Sequence, residues 1–450
     1  MPPVSAAEME RTMKKIRWNK GLSLLLALAM IGMLGGCAAP GNVAETTSAP
    51  AVTEAPADAP TKAPEETEAP TEAPTEAPTE APTEPEVNEN GLVFTQKENN
   101  GVCTHADSSG YRNFKAYMKV AEAYILTPGL SEHLVPQGMD QHDATGNIYM
   151  SGYIKKGEFN VFDDSNPSAV VMMDAAGELK AEYVMYYADG TGFDSHMGGV
   201  AVSDDTLYVS ASKGKDAAGN VTYWIAAVPL ADLVTEGHQD VYLETFYQVP
   251  VQPSWLNYSN GILWVGNFYL AGNESYVAPV TIGTTKAAKD NETMGSYILG
   301  YDLTEKGAAR MESAEGEPAM PDADKVYCTT DRIQGMTQLR DGRIVLSQSY
   351  GRGNNSQLMV YDPSLAETQT ISIAGNEYTC IMLEKKVCRD ELYVNMPMSE
   401  GIAMKDDGNG LEVLVLYESG AILYSGDGTY DRNAGKFRTD YIWKVAIPEK

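Results

Sequence analysis

A short strand, a polar turn and a second, more apolar strand recur five times along this chain, and no other feature limits its fold as strongly. The copies open at Gln137-Gly-Met139, Gly198-Gly-Val-Ala-Val202, Pro253-Ser-Trp-Leu256, Gln334-Gly-Met336 and Glu400-Gly-Ile402. Their turns fall at residues 144–147, 203–205, 259–261, 340–342 and 405–410, and their second strands begin at Ile148, Leu207, Ile262, Arg343 and Leu411. The starts lie roughly 55 to 80 residues apart, too far for one hairpin ladder and about right for a repeated sheet. Alternating Val, Ile, Leu and Tyr broken by Gly, Asp and Asn is strand-and-turn composition. Residues 224–229, 297–302 and 358–362 supply further strands after several of the hairpins.

A unit of about four strands repeated around a circle is a β-propeller, which leaves few open sheet edges. Glycine near the start of each first strand fits, because strands crowd near the axis. The expected fold is therefore all-β. Over most of 137–450 the chain resembles bacterial five- to seven-bladed propellers; the five hairpins favour five blades, with six or seven as alternatives. A long β-sandwich or two stacked domains is the competing architecture. Residues 91–136 read as an N-terminal extension, and residues 441–447 are expected to pair with a strand from within 91–134 and so close the ring. One helix is expected over 113–124, where Phe114, Tyr117, Ala121 and Tyr124 recur at helical spacing.

In an antiparallel hairpin the start of the first strand and the end of the second share one end. These positions should gather at one mouth of the channel. Candidate ligand-binding residues are Gln137 and Tyr153 from the first copy, His196 from the second, and Trp255, Asn267 and Tyr269 from the third. The fourth copy adds Gln334, Tyr350 and Arg352, and the fifth adds Glu400. Hydrogen-bonding groups beside aromatic platforms suit a small molecule or a sugar. Glu400 and Glu418, from one hairpin, are the catalytic candidates: two carboxylates can serve as acid and base on a glycosidic bond. A structural ion pair with Arg352 ranks ahead of that reading, and Ca²⁺ is the other alternative. The resemblance to five-bladed glycoside hydrolases implies three carboxylates near the channel, and the first three copies offer only Asp140 and Asp194 there. Asp194-Ser195-His196 is too compact for a hydrolytic triad without a special turn. His142 reads as a turn residue, and Arg352 within Ser349-Tyr-Gly-Arg-Gly353 could hold an anion. No histidine or cysteine spacing matches a metal centre, so no metal and no cofactor is expected, Ca²⁺ alone being left open.

The chain begins differently. Lys14, Lys15, Arg17 and Lys20 precede an apolar run over 22–33, which ends at Leu34-Gly35-Gly36-Cys37-Ala38. That run is too short to span a bilayer and suits the core of a secretory signal. Residues 13–37 resemble bacterial lipoprotein signals, with 34–38 as the lipobox. The resemblance implies that Cys37 becomes the lipidated first residue of a protein anchored on the extracytoplasmic face of the cell membrane. Residues 1–10 lack signal character, which leaves the start open between Met1, Met9 and Met13. Residues 38–90 follow as a linker built on Thr-Glu-Ala-Pro repeats, unable to bury enough surface to offset chain entropy. Proline and regularly spaced glutamate favour an extended tether, reaching on the order of 100 Å at about 3.1 Å per residue.

The net charge is −29; residues 41–90 carry −11 and the first forty +3, leaving −21 on the head. So acidic a head argues against nucleic acid as a partner and against electrostatic docking on anionic lipid. Cys103, Cys328, Cys380 and Cys388 allow three pairings, and Cys380 and Cys388 are close enough in sequence to bridge neighbouring strands. The expected protein is a lipid-anchored extracellular propeller that binds a cell-wall or host glycan, a peptide or a small molecule at its channel mouth. The alternatives are a secreted carbohydrate-active enzyme and a protein–protein scaffold.

Overall fold

The computed structural model describes residues 4–5, 91–99, 113–154, 167–216, 218–276, 278–312, 321–405, 408, 411–424 and 437–450. Cys37 and its signal segment beyond residues 4–5, the 38–90 tract and Cys103 lie outside these residues.

The head is a five-bladed β-propeller. Blade one runs outward through Leu134–Gln141, Ile148–Ile154, Ala169–Met173 and Leu179–Tyr187. Blade two uses Val200–Val202, Thr206–Ser210, Val221–Pro229 and Thr245–Val249. Blade three uses Trp255–Ser259, Ile262–Gly266, Ser296–Asp302 and Lys325–Thr329. Blade four uses Ile333–Gln338, Ile344–Gln348, Ser356–Tyr361 and Arg389–Asn395. Blade five uses Ser399–Lys405, Glu412–Tyr417 and Tyr441–Ala446, and its outer strand comes from the far end of the chain: Ala121–Leu126 pairs antiparallel with Tyr441–Ala446.

Residues 113–124 are therefore not one helix. Tyr117–Lys119 form a 3-10 turn, which gives way at Ala121 to the closing strand. The i,i+3 spacing of Phe114 and Tyr117 is real and buries both rings, but Tyr441–Ala446 offers the next residues a strand edge to complete. That non-local pairing overrides local helical spacing. Two other additions were equally invisible: Gly237–Leu243 extends blade one as a parallel strand, and the hairpin Thr368–Ile373/Asn376–Met382 leaves blade four to pair along blade three.

Alternation along each strand sorts the core into five apolar layers, one between each pair of neighbouring blades. In Ala169–Met173, for example, Val170 and Met172 face blade two while Ala169, Val171 and Met173 face blade five. Such strands read as nearly continuous apolar runs because both faces are covered.

Toward the axis, glycine makes the contact. A Cβ on Gly138 would sit 2.6 Å from Val200 N in blade two, and one on Gly401 would sit 2.5 Å from Met139 N in blade one. Gly199 and Gly335 meet the next blade in the same way. Farther along the channel, Asp140 of blade one binds three blades at once: Oδ2 accepts Val202 N (2.9 Å) and Tyr258 N (2.8 Å), while Oδ1 accepts Gln141 N (3.0 Å) and Asn257 Nδ2 (2.9 Å). Burial raises its pKa well above the usual carboxylate range, and the donors aimed at it oppose that rise. Asp140 is thus a buried clasp and not, as expected from the sequence, a carboxylate near the channel mouth.

Cys328, Cys380 and Cys388 are buried free thiols. Cys380 packs between blades two and three, whereas Cys388 packs between blades three and four. They therefore lie on opposite faces of blade three and do not bridge. Among the described residues no helix is long and apolar enough to cross a membrane.

Candidate functional site

The residue at the equivalent place in each inner strand, just before the axial crowding begins, is Gln137, Gly198, Ser254, Gln334 or Glu400. All five line a single cavity of about 580 Å³ at the channel mouth. Their sizes make it lopsided. At this one place blades two and three carry only glycine and serine, while blades four, five and one push long polar side chains inward.

The polar side is built around two glutamates. Gln334 Nε2 donates to Glu400 Oε1 at 3.2 Å. Glu418 follows the second strand of the same blade, and its Oε2 accepts Gln137 Nε2 (3.0 Å) and Tyr424 OH (2.9 Å). Desolvation, reinforced by the neighbouring carboxylate, holds Glu400 well above the usual range. Desolvation pushes Glu418 up to about 7 against the pull of Tyr424, Gln137 and the Arg352 charge. Arg352 itself lies over the Tyr424 ring, 4.7 Å from its centroid. Tyr153 stacks on His196 at 4.7 Å, and burial drives the Tyr153 hydroxyl up to about 12. His196 is exposed at the cavity, and desolvation by the groups around it lowers its pKa.

The opposite wall is aromatic. Phe268 meets Tyr276 edge-on at 4.9 Å and Tyr350 at 6.2 Å. Tyr350 is 42% exposed and Tyr276 36%, so both rings are open to solvent at the rim. Two methionines on the lining, Met197 and Met398, hold left-handed backbone (φ 46° and 67°), a conformation that side chains rarely adopt and that concentrates at functional sites.

Of the residues singled out from sequence, Gln137, His196, Gln334, Tyr350, Glu400 and Glu418 line this cavity. Tyr153 and Arg352 stand just behind it, against His196 and Tyr424. Trp255, Asn267 and Tyr269 do not line it. Trp255 is buried over Gly266, where a Cβ would strike its ring. Asn267 holds a bend, accepting Tyr297 N (2.6 Å) and donating to Gly295 O (3.2 Å). Tyr269 packs on Gly295, and its carbonyl accepts Arg332 N at 2.8 Å. Phe268 lies just past the strand Ile262–Gly266, outside its alternation, so strand periodicity does not mark it. Tyr276 sits in a loop with no such signal. Ser195 and His196 do not work as a pair, since Ser195 Oγ donates to Ser210 O at 2.8 Å. Among the described residues no three His, Cys, Asp or Glu side chains gather as metal ligands.

No protein-family model matches the chain, and no curated protein matches it by sequence. Solved structures similar to it include the PQQ-bound aldose sugar dehydrogenase from Streptomyces coelicolor, 12% identical, covering 72% of this chain and 97% of that one at a TM-score of 0.37. A luciferin-regenerating enzyme is 13% identical over 73% and 95% of the two chains, with a TM-score of 0.32. The WD40 domain of Pan2 from Neurospora crassa is 9% identical over 81% and 98%, with a TM-score of 0.28.

Proposed function

We propose that this protein is a lipid-anchored binding protein of the extracytoplasmic face, whose propeller head takes a small ligand at the channel mouth. The observation that carries the reading is the cavity of about 580 Å³, to which every blade contributes and which sets two recessed glutamates opposite an aromatic wall. Its volume falls within the roughly 300–1,000 Å³ of small-molecule sites. Cys37 and the Thr-Glu-Ala-Pro tether support a head held away from the membrane.

The test is a thermal-shift screen of the full chain against wall fragments, glycans, short peptides and Ca²⁺. Ligand at 100 times its dissociation constant adds about 2.7 kcal/mol, a shift of a few degrees. A shift abolished by Tyr350→Ala supports the reading; a blank screen counts against it. The anchor is tested separately by fatty-acid labelling, which Cys37→Ser should abolish.

One observation favours a second reading, a carbohydrate-cleaving enzyme: two carboxyls from one blade face the cavity, and burial raises both, the direction an acid catalyst requires. Turnover of a glycan that binds, lost in Glu400→Gln without loss of binding, would establish it.

A further inference from the structure

Glu400 is only 4% exposed, yet its carboxylate is half used: Oε1 takes the hydrogen bond from Gln334, and Oε2 receives none among the described residues. Glu418 is in the same position, with both donors on Oε2 and none on Oε1. Neither makes an ion pair among the described residues. Two recessed carboxylates therefore each present one open oxygen to one cavity. A second observation comes from another blade. Ser210 lines the same cavity at 3% exposure, and its Oγ has no hydrogen-bond partner among the described residues. Buried polar groups left open in this way are costly unless something completes them.

We propose that the cavity is selective for a small organic monocation: a protonated amine carried on a ring, with the amine between Glu400 Oε2 and Glu418 Oε1, the ring against Phe268, Tyr276 and Tyr350, and a polar substituent at Ser210 Oγ. This rests on the reading of the cavity as a ligand site. An ammonium carries three donors and no acceptor, which matches oxygens that can only accept. The aromatic faces add attraction for a cation or for the flat side of a sugar or arene. A hard metal ion fits less well. Ca²⁺ takes about six to eight oxygen ligands, while among the described residues no three acidic, His or Cys side chains gather here. Lys213 on the lining and Arg352 behind Tyr424 further disfavour a dication. The charged and titratable groups facing the pair are Tyr153, His196, Lys213, Arg352 and Tyr424. Burial raises both carboxyls, with Glu418 at about 7, so an entering cation should displace a proton near neutral pH.

The experiment is titration calorimetry of the full chain with matched probes: D-glucosamine against D-glucose, and benzylamine against benzyl alcohol, at pH 7 in two buffers of different ionisation enthalpy. At least one amine is expected to bind ten-fold or more tightly than its neutral partner, with a heat that changes with buffer as a proton leaves. Glu400→Gln should weaken that amine at least ten-fold; should it fold poorly, Glu418→Gln, at a more exposed position, makes the same test. Equal binding of amine and alcohol, a heat independent of buffer, or undiminished binding by both variants overturns the inference. So does CaCl₂ that binds alone and expels the amine. A neutral sugar that binds and is lost in Tyr350→Ala would overturn the cation class while leaving the ligand-binding reading intact. No binding by any of the four probes overturns the class as well, and the broader reading falls only if the full screen is also blank.

Discussion

The carboxylate of Asp140 in blade one accepts the backbone N–H of Tyr258 in blade three at 2.8 Å, reaching past the inner strand of the blade between them. The same oxygen takes Val202 N of that intervening blade, so one side chain sets the spacing of three inner strands. The arrangement works because all the groups around it are donors, and it leaves a single acceptor side chain doing what a chain of separate contacts would otherwise need to do.

Asp140→Ala should therefore be severe. It orphans buried N–H groups of two other blades, each worth about 1–3 kcal/mol when left unpaired. A loss of at least about 3 kcal/mol in urea unfolding is expected. Asp140→Asn keeps the shape but turns one donor toward others, so it should recover only part of the loss. A drop below about 1 kcal/mol for Asp140→Ala would show that the clasp is dispensable.

Gly401→Ala should destabilise by about 1–3 kcal/mol, because the new methyl meets the Met139 backbone of blade one and backbone cannot rotate away. Gly138→Ala should behave alike at the next seam. Gly138 is itself touched by the methyl added at Gly401, whose Cβ would sit 2.9 Å from Gly138 C, so thermal melts of the double variant should show losses that depart from additivity.

The glutamate pair makes a signed prediction. Both carboxyls have folded-state pKa values above the ordinary 4.5, Glu418 reaching about 7. Between those limits the folded protein holds more protons than the unfolded chain, so stability falls as pH rises through the window. Glu400→Gln should raise the melting temperature more at pH 8 than at pH 5. A gain of equal size at both would place the effect in packing and not in charge.

His238 predicts the same slope from a different group. Its Nδ1 meets the fully buried Glu182 at 2.7 Å, and this partner raises the His238 pKa above 6.5, with Asp240 adding to it. Stability from the charged pair is fully present below pH 6.5 and is lost as pH climbs through the raised value. Glu182 also accepts Val93 N and Phe94 N, both at 2.9 Å, which dock the segment 91–99. Hydrogen exchange at Val93 and Phe94 should accelerate, beyond the intrinsic rise, as pH moves from 6 to 8. His238→Gln should remove that excess.

The inner hairpins were legible because their pattern is local: a tight turn and two alternating strands leave their mark within about fifteen residues, as Leu134–Gln141 and Ile148–Ile154 do. What escaped was set by distant partners. Ala121–Leu126 looked helical until Tyr441–Ala446 was beside it, and nothing near Asn376–Met382 tells that it will join Lys325–Thr329. The mouth was legible where each blade repeats its frame, which is why Gln137, Gln334 and Glu400 were found. Blade three breaks the frame with Trp255, whose bulk turns into the core, and the loop after Gly266 carries Phe268 and Tyr276 to the rim instead.

Because Ala121–Leu126 completes the sheet of Tyr441–Ala446, residues at opposite ends of the head must find each other before blade five has an outer edge. Closing a flexible loop of that length costs about 5 kcal/mol in entropy, roughly 3 more than an ordinary hairpin. Four assembled blades shorten the search by carrying the two ends round to the same place. Folding should then finish, rather than begin, at this seam, and a chain emerging N-terminus first from an export channel would keep residues 121–126 waiting for nearly all the rest to arrive. Until it does, an apolar edge stands open to any other strand that passes, so the closing step sets the interval in which this protein is most exposed to aggregation.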